Sequence, residues 1–372
     1  MLAFRSALSL HLGEEIKEGL VTAAGLHHDP VYFGADPPGD VAGRIMDRLI
    51  LPDRPRDDEP GLAAETLDAC NAFDEAVEFA AFEGLSPSEA IHSFYDESLA
   101  QFDPRVAEAL RRATSPAGHI PRFEDLPVIP KIASALMRTS DEKTSPAQLA
   151  HIVAGDPVLC GRLIGAANSA RYGSRHTIQR VNDAALRVGV PVARKILLSS
   201  CIGRLFASKP LQEIWAHAQT VAAAAFELAR KTGPGGESAW LAGLLHDIGR
   251  LVLMGSTQES MVNLQEWLEG GFPLVYAETL TWGTDHACVG AQLLGSWGIP
   301  EEIVAAVADH HTPERGVTMA SIVFLAEQWS AGAKREGLCL DLRKMAAYRN
   351  VGFTPGVLQE IDAESELFAL AG

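Results

Sequence analysis

Leu244-Leu245-His246-Asp247-Ile248-Gly249-Arg250 is the stretch on which the reading of this chain turns. An imidazole and a carboxylate stand side by side inside an apolar, helix-compatible run. Both groups are costly to bury unless something binds them. A single His-Asp dipeptide carries little weight. Its meaning depends on whether other histidines arrive on other helices to meet it.

They do. A helix expected over Leu211 to about Lys231 has Ile214, Ala218, Val221, Ala225 and Leu228 as its apolar stripe, and His217 lies on that same face. The helix expected to begin at Thr284-Asp285 places Val289, Gly290, Leu293, Leu294 and Trp297 in register with His286. Pro300 opens another helix, whose stripe is Ile303, Val307, His310 and His311; Thr312-Pro313 ends it. A last helix over roughly Thr318 to Ser330 carries Ile322, Val323 and Ala326, with Glu327 beside them. His217, His246, Asp247, His286, His310 and His311 thus fall on four helices, each on or beside an apolar face. Imidazole and carboxylate are the ligands of Zn, Fe, Mn or Ni, and a helical bundle is a common place to converge them. A lone histidine on such a face is more often a hydrogen-bonded core residue. The recurrence across four helices admits a shared divalent metal beside that plainer reading.

The rest of the chain is compatible with an all-α protein. Of its 372 residues 47% are hydrophobic and only 7% aromatic, and Ala and Leu are plentiful, which favours helices. Ser86-Pro87-Ser88-Glu89, Ser145-Pro146-Ala147-Gln148 and Asp156-Pro157 are helix starts, with a cap followed by a proline. Gly189 ends a helix, and Asn168-Ser169 reads as a helix end with side-chain capping. No alternating strand pattern follows residue 120. Residues 29–40 are turn-rich, and Leu51–Gly61 holds three prolines and reads as a loop. The break at Ala113–Pro121 divides a helical N-terminal region, 1–115, from a multi-helix bundle, 120–332, with a C-terminal extension over 333–372.

Several function classes are disfavoured. The formal net charge of −17 argues against direct nucleic-acid binding and against an anionic membrane surface. No GxGxxG or Walker pattern is present. The five cysteines are scattered and never form CxxC, as in reduced cytoplasmic proteins. No run of about 18 apolar residues exists to span a membrane, and the N-terminus is a poor signal peptide. His27-His28-Asp29 reads as an exposed polar turn.

Six blocks in order, from Leu126 to Gln328, resemble the HDOD domain, a divergent member of the HD superfamily. They are LPVIPKIASALM (126–137), DPVLCGRLIGAANSARYG (156–173), VNDAALRVGVPVARKILLSS (181–200), IWAHAQTVAAAAFELA (214–229), WLAGLLHDIGRLVL (240–253) and HACVGAQLLGSWGIPEEIVAAVADHH (286–311). In catalytic HD phosphohydrolases, such positions hold metals that activate water for attack on phosphorus. The resemblance then implies His217, His246, Asp247, His286, His310 and His311 as ligands of a divalent metal. It also implies three departures. Glu327 stands where the late aspartate is expected, Arg250 replaces the lysine common after HDIG, and no GYP triplet follows His310-His311. Arg250 would line the ligand pocket. HDOD domains are regarded as regulatory modules of bacterial signalling. The resemblance therefore implies a scaffold or ligand sensor working with a protein partner or a small phosphorylated ligand, with a homodimer as one arrangement and no residue assigned to catalysis. A metal-dependent phosphohydrolase of cyclic dinucleotides or nucleotides is the alternative.

Residues 67–112 resemble the end of an HD-GYP domain, with LSPSEAI and QFDPRVAEA as the closest blocks. By that resemblance His27-His28-Asp29 replaces HHE, Asn71 occupies a metal-binding aspartate position, and the region is a truncated remnant suited to docking or dimerisation.

Overall fold

The computed structural model describes residues 60–333, apart from 84, 121–128, 140–142, 173–176, 233–234 and 313–317. His27-His28-Asp29, the turn-rich stretch at 29–40, most of the 51–61 loop and the extension after 333 lie outside the described residues. Among the described residues the regular elements are all helical, with no strand. No described helix is long and apolar enough to cross a membrane.

The contacts divide the chain into two compact units. One takes Met1–Pro121 together with Leu253–His286, and the other Arg122–Val252 together with Ala287–Gly372. Residues 253–286, inside the 120–332 bundle of the sequence reading, thus group with the N-terminal residues.

The described part of the first unit contains α1 (Pro60–Glu83), α2 (Pro87–Ser93), α3 (Pro104–Ala113), and later α12 (Gln258–Glu269) and α13 (Leu274–Trp282). Its core is aromatic. Phe73 of α1 meets Phe94 edge-on at 5.2 Å and lies 6.2 Å from Phe272, which in turn packs on Trp267. Tyr276 Oη donates to the Leu85 carbonyl, and Gly118 N donates to Thr281 O, so the two sequence-distant parts are tied by backbone as well as by rings. Burial pushes the Cys70 thiol in this core up to about 12, which makes it inert at neutral pH. Ser86 sits at the N-cap of α2 as expected, but its side chain makes no capping hydrogen bond; Pro87 at N1 does the local work of starting the helix.

The second unit holds α4 (Lys131–Met137), α5 (Pro146–Val153), α6 (Pro157–Ala167), α7 (Val181–Val188), α8 (Val190–Ile202), α9 (Lys209–Thr232), α10 (Gly236–Leu245), α11 (Ile248–Leu253, its last residue counted with the first unit), α14 (His286–Ser296, after its first residue), α15 (Glu301–Ala308) and α16 (Met319–Ala333). Ser145 forms a complete capping box with Gln148 at the start of α5. Gly189, at φ +87°, turns α7 into α8 in a conformation a side chain resists. Asn168 ends α6, but its side chain does not cap the helix. It grips Ile178 across the following loop, accepting from the backbone N–H and donating to the carbonyl, both at 2.8 Å. Near the start of α10, Glu237 faces two cations of α8: Lys195 Nζ at 3.2 Å and Arg194 Nη1 at 3.5 Å. Lys195 is buried, with its ammonium over the Phe226 ring.

Asp156 caps α6 by accepting from Val158 N and Leu159 N, and it also takes a two-pronged contact from Arg204 at 2.6 and 2.9 Å. The guanidinium holds its carboxyl down at about 2. The fold therefore favours the ionised form. The stability this contributes is complete above about pH 4, where an unfolded aspartate is ionised, and is lost as the pH falls through about 2. Asp156→Asn keeps the cap and removes the charge. It should cost about 1 kcal/mol at pH 7, given how exposed Arg204 is. Urea midpoints at pH 7, 4 and 2 should show the gap to wild type closing at the acid end.

Candidate metal centre

The His-Asp pair does not lie within a continuous helix, as its apolar surroundings suggest. α10 stops at Leu245, and α11 begins at Ile248, so His246 and Asp247 form the joint between them. The imidazole serves the helix it has just left: Nδ1 donates to the Gly243 carbonyl at 2.8 Å, satisfying a last-turn oxygen that the helix leaves without a partner. His310 repeats the device at the end of α15, where its Nδ1 donates to Val307 O at 2.7 Å. In both rings this fixes the tautomer, with the proton on Nδ1 and the lone pair on Nε2. Both rings are fully buried. They lie edge to face, 5.2 Å between centroids.

Close helix packing makes this possible. A Cβ on Gly243 would come within 2.9 Å of Ala222 Cα, so α10 rests directly on the backbone of α9. The Val221–Ala225 run of α9 is buried and mostly alanine, which permits that approach. One turn earlier on α9 stands His217, its ring 5.2 Å from that of His246. From the other side α14 comes equally near: a Cβ on Gly290 would meet Gly249 N at 3.1 Å.

His217, His246 and Asp247 are thereby brought together, with potential ligand atoms all within 4.8 Å of one another. His246 Nε2 is sealed from solvent, makes no hydrogen bond, and faces Asp247 Oδ1 at 3.6 Å. A buried lone pair left in that state costs about 1–3 kcal/mol unless something binds it. Two imidazoles and a carboxylate form a donor set for a divalent transition metal. The carboxyl ends of α10 and α15 add their partial negative charge. On these grounds the residues fit a cation.

The other candidate residues do not all join this set. Arg250 Nη1 donates to Asp247 Oδ2 at 2.9 Å, which leaves Oδ1 as the oxygen directed at His246. His311 stacks against His310 at 4.0 Å between centroids. Glu327 places Oε2 3.8 Å from His311 Nδ1 and lies outside the His217–His246–Asp247 set. At the position of α16 facing His217 is Ser330, whose Oγ is 3.3 Å from Nδ1. Nothing in the sequence singled out Ser330, because a serine on an apolar helix is ordinary. His286, placed by contacts in the first unit, opens α14 and is buried. Its Nδ1 and backbone N–H both bond Glu278 Oε2, at 2.6 and 2.9 Å. Glu278 also went unmarked in the sequence, although a buried carboxylate in the apolar run LVYAETLTW is a signal in principle.

The comparisons with known proteins agree with the fold. The solved structure of an HDOD domain protein of unknown function from Geobacter sulfurreducens shares the fold, with a TM-score of 0.56 at 22% identity over 68% of this chain and 93% of that one. An uncharacterized protein of Treponema pallidum is 28% identical over 236 residues, 60% of this chain and 46% of its own length. Ribonuclease Y of Thermus thermophilus is 33% identical over 185 residues, 48% of this chain and 28% of the enzyme. The chain therefore spans less than half the length of these curated relatives. The HDOD domain family matches residues 126–313, which contain the whole set built around the His246–Asp247 joint except α16, and the chain belongs to that family.

Proposed function

We propose that this protein is a regulatory HDOD module of bacterial signalling. Its His217–His246–Asp247 centre holds a divalent metal ion and, through it, a small phosphorylated ligand that the module senses rather than cleaves. The observation that carries this reading is the buried, unbonded Nε2 of His246 beside Asp247 Oδ1. When bound, a divalent ion supplies a Lewis acid and a cationic anchor for phosphate oxygens. The protein's own groups do the remainder. Gly243 O and Val307 O orient the rings of His246 and His310, and burial excludes water from both. Arg250 engages Asp247 Oδ2 and so leaves Oδ1 directed at His246. The test is metal content by mass spectrometry after reconstitution with Fe, Mn or Zn. Wild type should hold stoichiometric metal, and the double variant His246→Ala/Asp247→Ala should hold none. Equal, negligible content in both would defeat the proposal.

A second reading, a metal-dependent phosphodiesterase, is favoured by the likeness to ribonuclease Y. It predicts metal-dependent hydrolysis of RNA or cyclic dinucleotides that disappears in the same double variant. The sensing role predicts saturable binding of the phosphorylated compound with no turnover.

A further inference from the structure

In a chain with a formal net charge of −17, the stretch from Pro157 to Val190 runs the other way: five arginines stand against a single acid, Asp183. α6 and α7 lie in this stretch and pack on each other within the second unit. The chain between them gathers the charge. Arg187 Nη1 donates at 3.2 Å to the carbonyl of Tyr172, the neighbour of Arg171. The grip of Asn168 on Ile178 draws Arg180 back toward the end of α6. Arg171, Arg180 and Arg187 are all exposed. Local structure does not ask for each of them. Arg180 is the N-cap of α7, where the helix dipole disfavours a cation, and its side chain makes no capping hydrogen bond.

The same helix pair carries apolar surface. Among the described residues, the large apolar side chains that the second unit leaves exposed are Leu186 of α7, at 63%, and Val158 of α6, at 56%. Arginine beside apolar surface is characteristic of contacts between proteins, and a guanidinium takes a carboxylate through two parallel hydrogen bonds. A nucleic acid would bring a continuous row of phosphates, which the net charge of the chain repels, and little apolar surface to set against Leu186.

We infer that the exposed surface of α6, α7 and their connection is a docking site for an acidic segment of a partner protein. Carboxylates meet Arg171, Arg180 and Arg187, and an apolar side chain of the segment covers Leu186. The surface shares no residue with the His217–His246–Asp247 centre, so the inference goes beyond the metal-binding reading and stands or falls separately from it.

The experiment is fluorescence anisotropy on the full chain with three labelled probes: a short peptide of glutamates interrupted by two leucines, the same peptide with lysine for glutamate, and a uridine homopolymer of matching charge. Wild type should bind the acidic peptide saturably, more weakly as salt rises, and the other two probes far less. The double variant Arg171→Glu/Arg180→Glu should weaken the acidic peptide by roughly tenfold, about threefold for each charge. It leaves the Arg187–Tyr172 bond in place and puts an acid where the dipole of α7 favours one, so it should fold as wild type does. Leu186→Ser should weaken the leucine-bearing peptide by roughly fivefold and leave an all-glutamate peptide unaffected. No binding of the acidic peptide by wild type, equal binding by the double variant, or equal binding of the lysine peptide overturns the inference. So does tighter binding of the uridine polymer that is lost in the double variant, which would assign the surface to nucleic acid.

Discussion

Gly243→Ala should destabilise the protein by about 2 kcal/mol, and Gly243→Val by about 3 kcal/mol or more, as overpacked interiors do. The sign is the informative part. In a helix interior, replacing glycine with alanine ordinarily stabilises by about 0.5–1 kcal/mol. Here the added Cβ would lie 2.9 Å from Ala222 Cα, 3.1 Å from Ala222 N and 3.1 Å from Val221 O. These are backbone atoms of α9, and no rotamer can move them aside. The two helices must separate, and the Gly243 carbonyl that holds the His246 ring moves with them. Urea unfolding would measure the loss. The same variants should bind metal more weakly even under conditions where they are fully folded, because His217 and His246 are carried by the two helices pushed apart.

Metal should protect the wild-type protein against heat, and a leucine at position 246 should reverse the order of the two metal-free proteins. A ligand present at 100 times its dissociation constant stabilises the folded state by about 2.7 kcal/mol. For a unit of this size that corresponds to a rise in Tm of roughly 5–10 °C. His246→Leu should show no such rise. Without metal, however, it should unfold at a somewhat higher temperature than wild type. The substitution removes a buried nitrogen without a hydrogen bond and fills its place with apolar atoms, a gain of about 1 kcal/mol after the lost bond to Gly243 O. A metal-free leucine variant clearly less stable than wild type would mean that the ring contributes to the fold by itself.

Helical character was legible wherever the determinants are local. The Ser145–Gln148 capping box, the Asp156-Pro157 start and the Gly189 stop are each set within four residues, and each stands where the pattern puts it. The face of His217 was legible from periodicity, because the stripe of α9 runs through Ile214, Ala218 and Val221, all buried. What could not be read depends on which of several possible partners a side chain meets once the chain is folded. The interruption at His246–Asp247 is stabilised by a ring capping its own helix, and no propensity encodes that. The Arg250–Asp247 pair, the grip of Asn168 on Ile178 and the hold of Glu278 on His286 are choices among several possible partners that only folding resolves. The place of Ser330, with Oγ 3.3 Å from His217 Nδ1, and that of Glu327, 3.8 Å from His311 Nδ1, likewise depend on how α16 packs.

The attachment of Glu237 to Lys195 and Arg194 acquires a mechanical sense once the two ends of α10 are considered together. The helix has ten residues and is about 15 Å long. Its carboxyl end is followed at once by His246, and its first turn is moored to two cations of α8, one of them sealed beneath an aromatic ring. The helix is thus held at both ends, by ion pairs at the start and by a ring-to-carbonyl bond at the finish, and its ten residues set the distance between the two moorings.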